Sequence, residues 1–413
     1  MTANTQAVRD YFLDNSLRAE TVERNPLFRG RKKEIDSVLR SAAKLDRSTV
    51  PLANMTALIH GAPGAGKSEL MAQLQSRLTT LDTRKPIAFL WGGVELLTNA
   101  DIFAGALRKA LPKRARWPFF AQKVSAEVKG EFLGVGAGSV GIKVEDGSAG
   151  TGDIARLMRL TEGPYRRVGL PVIVLMIDEA QHALNAASPV PSNFVSSLHL
   201  GQTGMKVLTV YGGLGNTPVE LGRCGVSRPG DNLVHPLGPL DDTQVRHMAV
   251  EGLSALTAQP PDTIDEWAGS IVRYAQGWPM HLSHALKAVA GQAHPDGWTL
   301  DREGFDEAMR VANDNRASYY GQRLQACPQL RPVQFETWAK LFRDGPKDAD
   351  HVAVALKIPP ADADALVAQA VRAGLIEQEK GRKHVSPIPS LLDYVEEEGR
   401  AHSRPTRNLG PAR

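Results

Sequence analysis

The sequence predicts an α/β fold: a parallel sheet flanked by helices, then a helical segment and a carboxyl-terminal winged helix. A glycine-rich loop lies between a strand-like run and a helix within residues 56–68. A second apolar run, Val172–Ile177, ends in two acidic residues, and six consecutive apolar residues indicate a strand covered on both faces. From residue 241 onward, apolar positions recur at helical spacing.

Composition indicates an ordinary soluble protein. With 413 residues, 42% hydrophobic and 23% charged, the chain can bury a core in two or three domains. The apolar run at Val172–Ile177 is too short to cross a bilayer, and the first residues, MTANTQAVRDYF, lack a secretory core, so we expect a cytoplasmic location and no membrane partner. The net charge of +4 does not by itself imply nucleic acid. Cys224 and Cys327 lack metal-ligand spacing and are expected to be ordinary thiols.

The segment before the glycine-rich loop predicts an amino-terminal arm and one helix. Residues 1–24 are polar and of mixed charge, which suits an extended or helical arm. After the turn at Gly30, apolar Ile35, Val38 and Leu39 recur at helical spacing. This helix is placed where it could close over an adenine ring.

The glycine-rich loop fits a phosphate-binding motif. Gly61, Gly66, Lys67 and Ser68 match G-x-x-x-x-G-K-[ST] between a strand and a helix. Glycines allow the positive φ values that turn several N–H groups toward one phosphate, and the helix start adds its positive end. Lys67 would reach the β- and γ-phosphates of ATP, and the Ser68 hydroxyl would bind Mg²⁺. A chance glycine-rich turn would need all four positions and both flanking elements to coincide. The predicted nucleotide-binding residues of the loop are Gly61, Ala62, Pro63, Gly64, Ala65, Gly66, Lys67, Ser68 and Glu69.

Residues 86–91 predict a second buried strand, and residues 101–111 a helix. Residues 112–152 are glycine-rich after a basic stretch and predict a hairpin-like insertion. The basic stretch suits either a single-strand nucleic-acid surface or, more simply, a solvated helix end with core aromatics. Its cations and aromatic residues are Lys113, Arg114, Arg116, Trp117 and Phe120.

A helix is expected at residues 153–165, before the acidic pair that follows the strand at Val172–Ile177. Carboxylates at the carboxyl end of a parallel strand lie where such sheets bind ligands. Asp178 would hold Mg²⁺, and Glu179 would polarise the attacking water as a general base. The alternative is an acidic helix cap after a core strand.

A strand at residues 206–211 is followed by a polar loop that offers further contacts to the γ-phosphate. Asn216 and Thr217 are candidates, although asparagine in such a loop is often only a turn residue. Arg223 and Arg228 could serve as an arginine finger, from this subunit or a neighbour, and Arg228 is the favoured one. The competing interpretation for both arginines is a surface position.

Residues 233–240 predict the last strand, and residues 241–328 predict a helical lid. Asp242 and Asp301 are expected helix caps. Gly277, Trp278 and Pro279 break the pattern between two helices. His281 and His284 have no third ligand in register, which favours a lid-core or surface role over a metal site.

Residues 329–398 show the order helix, helix, helix and hairpin, which is the layout of a winged helix. The third helix begins with Asp362 and Asp364, which disfavours reading of DNA bases. Contact with the DNA backbone and a protein-facing role both remain open. The hairpin and tail carry the groups that suit duplex phosphate, namely Lys380, Arg382, Lys383, His384 and the basic, disordered tail at 399–413.

These segments together resemble the AAA+ and STAND-like ATPases, particularly the branch near the origin-recognition ATPases. The resemblance covers residues 25–395 and rests on LFRGRKKEI, on GAPGAGKS and VIVLMIDEAQ as the two Walker motifs, on GVSR, on the GWP turn and on the winged helix. It implies a Walker B strand that is not adjacent to the loop strand, and a lid that follows the nucleotide state. It also implies that Phe28, Gly30 and Arg31 lie near the adenine and that Pro279 contacts the nucleotide.

Two features depart from these families. The lid turn has GWP where AAA+ proteins often carry an arginine. No ligand-sensing repeats follow the winged helix, so a sensor is expected to be a separate protein or the 112–152 insertion. The expected domains are 1–24 (arm), 25–240 (ATPase core), 241–328 (lid), 329–398 (winged helix) and 399–413 (tail).

The sequence therefore predicts a Mg-ATP switch with one of two biological roles. The first is a DNA-associated AAA+ ATPase of replication, transposition or another mobile-element process. The second is a STAND-like signalling or defence ATPase that assembles with itself or with protein partners. A third possibility, a scaffold with negligible turnover, is disfavoured by Glu179.

Overall fold

A computed structural model describes most of the chain, in two compact units. The first, here called the helical unit, comprises Met1–Gly30, Gly61–Glu69 and Leu237–Arg413, and the second, the sheet unit, comprises Arg31–His60 and Leu70–Pro236. The residues described are 3–13, 25–48, 54–81, 87–93, 96, 106, 172–184, 198–199, 206–223, 226, 233–294, 297–379 and 381–403. Outside them lie the predictions for residues 112–152 and 153–165, most of the helix expected at 101–111, Arg228, Lys380 and the tail beyond 403.

The sheet unit is built on five parallel strands in the order β2-β3-β4-β1-β5. Strand β4 lies between β3 and β1, and its Tyr211 is in register with both Ile177 and Leu58. The strand carrying the acidic pair is therefore not adjacent to the strand before the glycine loop, which confirms the predicted order. All residues of β3 and β4 are buried, as expected for strands covered on both faces. The strands are β1 (Asn54–His60), β2 (Ile87–Gly92), β3 (Val172–Ile177), β4 (Val207–Gly213) and β5 (Val234–Pro236).

Four described helices accompany the sheet strands along the chain. Helix α2 buries Ile35 and Val38, as the sequence predicts, and also Leu45, whereas the predicted Leu39 is only half-buried. Helix α3 begins inside the glycine-rich loop and continues into the sheet unit. The four are α2 (Lys32–Arg47), α3 (Lys67–Thr79), α4 (Ala180–Leu184) and α5 (Thr217–Arg223).

The helical unit contains the amino-terminal helix and four helices of the predicted lid. Val8 and Phe12 of α1 are buried in the same core as Trp267, which stacks on Phe305 at 4.4 Å between ring centroids. The arm is thus packed into the lid core at least over its first helix. These helices are α1 (Ala3–Leu13), α6 (Asp242–Leu256), α7 (Pro261–Ala275), α8 (Pro279–Gln292) and α9 (Arg302–Gln325).

One of the two predicted caps is wrong by one residue. Asp241, and not Asp242, caps α6, because its carboxylate accepts a hydrogen bond from the backbone N–H of Gln244 (2.8 Å). Asp301 caps α9 as predicted, by accepting from the N–H of Gly304 (2.8 Å). Residue type does not distinguish the two adjacent aspartates. The one whose carboxylate accepts a hydrogen bond from the backbone N–H three residues later caps the helix.

The carboxyl-terminal segment (residues 329–403) has the predicted order of three helices and a hairpin, with one further helix. Helix α13 is joined to α10 by Arg343, which forms ion pairs with Asp393 and Glu396. Because α13 continues to Ser403, the tail boundary predicted at residue 399 is wrong. The elements are a 3₁₀ turn (Pro332–Gln334), α10 (Phe335–Arg343), α11 (Ala349–Leu356), α12 (Pro360–Ala373), β6 (Glu377–Gln378), β7 (His384–Val385) and α13 (Pro389–Ser403). None of the helices described here is long and apolar enough to span a membrane.

Candidate functional site

The glycine-rich loop has the backbone conformation that its glycines predict. Gly61, Gly64 and Gly66 have φ values of 154°, 81° and 86°, a region that side-chain-bearing residues rarely adopt. At Gly61 a Cβ atom would also lie 2.6 Å from the carbonyl oxygen of Leu237. Successive turns of this kind direct backbone N–H groups toward one point, which makes a concave site for an anion.

Lys67 lies over the loop at the start of α3. Its side chain is buried, and its ammonium group donates hydrogen bonds to the carbonyl oxygens of Gly61 (3.0 Å) and Ala62 (3.1 Å). Ser68, the next residue of α3, is exposed. Glu69 accepts a hydrogen bond from the backbone N–H of Asn25 (2.8 Å), so its carboxylate ties the preceding segment to the loop helix.

The acidic pair follows β3 in the sheet unit. The backbone N–H of Asp178 donates to the carbonyl oxygen of Gly92 (3.0 Å), and its Oδ1 accepts from the N–H of Glu179 (2.9 Å). A Cβ atom on Gly212 of β4 would lie 3.0 Å from this Oδ1 and 2.6 Å from the sulfur of Met71. The glycine at the end of β4 therefore leaves the space that the Asp178 carboxylate occupies.

Glu179 is held by a residue that the sequence did not single out. Its φ of 52° is left-handed, which costs a non-glycine residue about 1 kcal/mol or more. Its half-exposed carboxylate accepts a hydrogen bond from the amide of Gln181. Gln181 is itself buried, and its Oε1 accepts from the backbone N–H of Leu214 (3.1 Å). Gln181 thus joins the candidate general base to the loop after β4.

Two polar residues after β4, Asn216 and Thr217, lie immediately before and at the start of α5. Asn216 Oδ1 is buried and lacks a hydrogen-bond partner within the described part of the chain. Thr217 is fully buried, and a Cβ atom on Gly213 would lie 2.2 Å from its Oγ1, so this residue packs against the strand end. Thr217 Oγ1 also lacks a hydrogen-bond partner among the described residues, so both predicted candidates have a buried oxygen that still needs one.

The lid turn lies across the glycine-rich loop within the helical unit. The N–H of Met280 donates to the carbonyl oxygen of Gly64 (3.2 Å), and Pro279 lies 3.8 Å from the position of a Cβ on Gly66. Trp278 is fully buried, with its Nε1 2.8 Å from the position of a Cβ on Gly64. Pro279, the predicted nucleotide contact, therefore lies beside the loop.

Two further parts of the helical unit contact Pro63. The Tyr319 hydroxyl donates to the Pro63 carbonyl oxygen (2.7 Å). A Cβ atom on Gly374, at the end of α12, would lie 2.6 Å from Pro63 Cδ, and φ at Gly374 is 73°. Nearby, burial raises the pKa of Glu377 to about 7, and the charge of Lys67 acts in the opposite direction. No local pattern of residues indicates these contacts, because they join residues far apart in the chain.

The lid histidines belong to a buried aromatic cluster. His281 is fully buried, its Nε2 pairs with the Tyr320 hydroxyl (3.0 Å), and burial is the main cause that lowers its pKa to about 3. Tyr320 also pairs with Ser390 Oγ of α13 (2.6 Å). Within the described ranges no group of three or more His, Cys, Asp or Glu side chains could hold a metal ion. His281 is therefore a lid-core residue.

The remaining predicted residues occupy the segment before α2 and the end of α5. Gly30 has a φ of 78°, and a Cβ there would lie 2.8 Å from Gln244 Oε1. Phe28 donates its N–H to the Asn25 carbonyl oxygen, and Arg31, with a φ of 55°, precedes α2. Arg223 is exposed and forms an ion pair with Glu220 (2.8 Å). Cys327 is buried and has a free thiol, and burial raises its pKa to about 11.

Comparisons with known proteins identify the fold. No protein-family model and no curated protein sequence matches the chain. A Walker-type ATPase of Pyrococcus abyssi superposes with a TM-score of 0.55 at 14% identity, covering 90% of this chain and 97% of that one. The ORC2 protein of Aeropyrum pernix superposes with a TM-score of 0.57 at 12% identity, covering 95% and 98%. The chain therefore shares the fold of these two proteins.

Proposed function

We propose that the protein is a Mg-dependent AAA+ switch that binds ATP and hydrolyses it to ADP and phosphate. The observation that carries the proposal is the loop of left-handed glycines with Lys67 folded over it. Backbone N–H groups at a helix start bind phosphate without any charged side chain, and Lys67 adds a cation. The superposable Aeropyrum pernix ORC2 protein was solved as ADPNP–ADP complexes, which supports a nucleotide ligand for this fold.

In this proposal Lys67 exchanges partners when nucleotide binds. Its ammonium group now bonds to two carbonyl oxygens of the loop itself, and it would move to the β- and γ-phosphate oxygens. A hydrogen bond from the Lys67 ammonium group to an anionic phosphate is stronger than one to a neutral carbonyl oxygen. The exchange of partners therefore favours the state with a nucleoside triphosphate bound. Ser68 and Asp178 would hold Mg²⁺, which neutralises charge on the phosphates.

Glu179 is the proposed general base. Gln181 fixes the carboxylate by donating one amide N–H to it, while its own oxygen is held by the Leu214 N–H. Asn216 Oδ1, which has no hydrogen-bond partner among the described residues, suits an acceptor for one proton of the attacking water, which leaves the other proton for Glu179. Arg228 remains the proposed arginine finger.

The lid and the carboxyl-terminal segment are the proposed moving parts. Met280, Tyr319 and Gly374 all contact the loop at Gly64 or Pro63. A ligand shifts such an equilibrium only by its differential affinity for the two states, and phosphates bound at Lys67 would supply that difference.

DNA, or a complex bound to DNA, is the proposed target. Arg382 and Lys383 are exposed on the β6–β7 hairpin of the proposed winged helix, where they suit phosphate contacts. Asp362 and Asp364 are exposed at the start of α12, which opposes base reading by that helix. We expect duplex binding with a steep salt dependence, and replacement of Arg382 and Lys383 by alanine should reduce the slope.

The STAND-like alternative rests on the contact between Gly374 and Pro63. Through this contact the carboxyl-terminal segment would hold the protein in a closed state until ATP binds. The ATP-bound protein would then assemble with itself or with protein partners. ATP-dependent assembly that needs no DNA and is insensitive to salt would favour this role.

Single-turnover hydrolysis of Mg-ATP tests the enzyme assignment. Lys67→Ala should lose nucleotide binding, whereas Glu179→Gln should bind ATP and leave it intact. Equal hydrolysis rates for Glu179→Gln and the unchanged protein would remove the assignment of the base. Mixing Arg228→Ala with Glu179→Gln protein should restore turnover if the arginine acts across a subunit boundary.

A further inference from the structure

Trp278 contains a buried hydrogen-bond donor that has no acceptor among the described residues. Its side chain is fully buried, and Nε1 has no hydrogen-bond partner within the part of the chain that the structure describes. An indole N–H can only donate, and a buried donor left unpaired costs free energy. A ring needed only for packing could be phenylalanine, which has no such group. The position therefore calls for an acceptor that the described part of the chain does not supply.

The donor lies against the phosphate-binding loop. Its nitrogen is 2.8 Å from the position that a Cβ on Gly64 would take. Its neighbours hold the turn in place, because Met280 N–H bonds to the Gly64 carbonyl and Pro279 lies beside Gly66. The turn is anchored from the other side as well, since Leu240 N–H donates to the Gly277 carbonyl (2.8 Å). The indole is thus held at the loop by backbone contacts on both sides.

The start of α8 adds a favourable field at the same place. Trp278 is the residue immediately before this 14-residue helix, whose positive end is nearest to the turn. The turn itself consists of Gly277, Trp278 and Pro279 and carries no cation. An anion at the loop would meet the helix end and one neutral donor from the lid.

We propose that the Trp278 indole N–H donates a hydrogen bond to a phosphate oxygen of the bound nucleoside di- or triphosphate. The inference rests on the proposed function, because it assigns a lid ligand to the same nucleotide site. It makes Trp278 a sensor of occupancy: the bond exists only when the phosphates are present and the lid turn lies over the loop.

Calorimetric titration with Mg-ADP tests this assignment. Trp278→Phe keeps a ring beside Gly64 and removes the donor, so we expect ADP affinity to fall about tenfold or more, as for loss of a hydrogen bond to a charged acceptor. Trp267→Phe is the matched control, because Trp267 is a buried tryptophan that stacks on Phe305 in the lid core. Its ADP affinity should equal that of the unchanged protein.

Inorganic pyrophosphate separates a phosphate contact from a base contact. Trp278→Phe should weaken pyrophosphate, measured as a competitor of ADP, by a similar factor. A loss for ADP without a loss for pyrophosphate would place the indole against the base or ribose and overturn the proposal. Equal ADP affinity for Trp278→Phe and Trp267→Phe would also overturn it while leaving the proposed function intact. If the unchanged protein binds no ADP, both proposals fail.

The indole proton provides a second measurement in the unchanged protein. The ¹H–¹⁵N resonance of the Trp278 side chain can be assigned by elimination, using single Trp→Phe variants at the other tryptophans. Saturation with Mg-ADP should move this proton downfield, as formation of a bond to phosphate oxygen requires. An unchanged resonance at saturation would contradict the proposal, even if Trp278→Phe does not fold.

Discussion

Replacing Glu377 with glutamine should stabilise the protein above neutral pH and change it little in mild acid. Glu377 lies on β6, and its Oε2 is buried without a hydrogen-bond partner among the described residues. Burial raises the pKa of this carboxyl to about 7, with Lys67 acting to lower it. Glutamine keeps the shape of the side chain and removes the charge.

The size of the effect follows from the pKa. At about 1.4 kcal/mol for each pH unit, a rise from 4.5 to about 7 corresponds to about 3 kcal/mol. Because the side chain is only half-buried, solvent screening reduces this to about 1–2 kcal/mol. The pKa of Glu377 is higher in the folded chain than in the unfolded chain, so the unfolded chain loses its proton first as the pH rises. The free energy of unfolding is therefore highest below pH 4.5 and falls progressively up to about pH 7.

Thermal unfolding at about pH 5 and about pH 8 measures the difference. The midpoint of Glu377→Gln should exceed that of the unchanged protein by about 1–4 °C at the higher pH, and by much less at the lower one. Glu379→Gln is the control, because Glu379 is exposed on the same hairpin and its replacement removes a carboxylate without touching a buried group. The same increment for Glu377→Gln at both pH values would refute a buried carboxyl that ionises near neutrality.

Three further changes test the loop and the base. Gln181→Ala should lower kcat for ATP by about tenfold to a hundredfold and leave the ADP dissociation constant unchanged, since it misplaces the base only; equal loss of ADP binding would contradict a positioning role. Gly374→Ala should destabilise the fold by more than Gly381→Ala. Both glycines are left-handed, but a Cβ at Gly374 would meet Pro63, whereas a Cβ at Gly381 would meet nothing within 4 Å among the described residues. Equal unfolding midpoints for the two variants would exclude the Pro63 contact. Gly212→Ala should weaken Mg²⁺-dependent hydrolysis by displacing Asp178, as measured by the Mg²⁺ concentration for half-maximal rate.

The parts of the site that depend on local chain geometry were predictable from the sequence. The loop at Gly61–Ser68 needs left-handed glycines before a helix, and the residues that meet this requirement are consecutive in the sequence. Strand β3 has the predicted bounds because six consecutive apolar residues end at an acidic pair. The separation of β3 from β1 was expected from the family resemblance, since residue patterns alone do not fix the order of strands, and the structure shows that β4 lies between them.

The parts that depend on tertiary contacts were not predictable. Nothing near Pro63 indicates that Tyr319 and Gly374 contact it, because those partners lie more than 250 residues away in the chain. Gln181 looks like an ordinary early helix residue until its amide is seen to join Glu179 to Leu214. Asp241 caps α6 in place of its neighbour because the cap is decided by the geometry of a single hydrogen bond.

Equilibrium binding of radiolabelled ATP, in the presence of Mg²⁺, tests the central claim most directly, by comparing the unchanged protein with Lys67→Ala. The claim is that the loop at Gly61–Ser68 holds the phosphates of a nucleotide. The unchanged protein should bind ATP in a saturable manner and release it to excess ADP, while Lys67→Ala, folded to the same thermal midpoint, should bind none. Equal ATP binding by both proteins, or none by either, would contradict the claim.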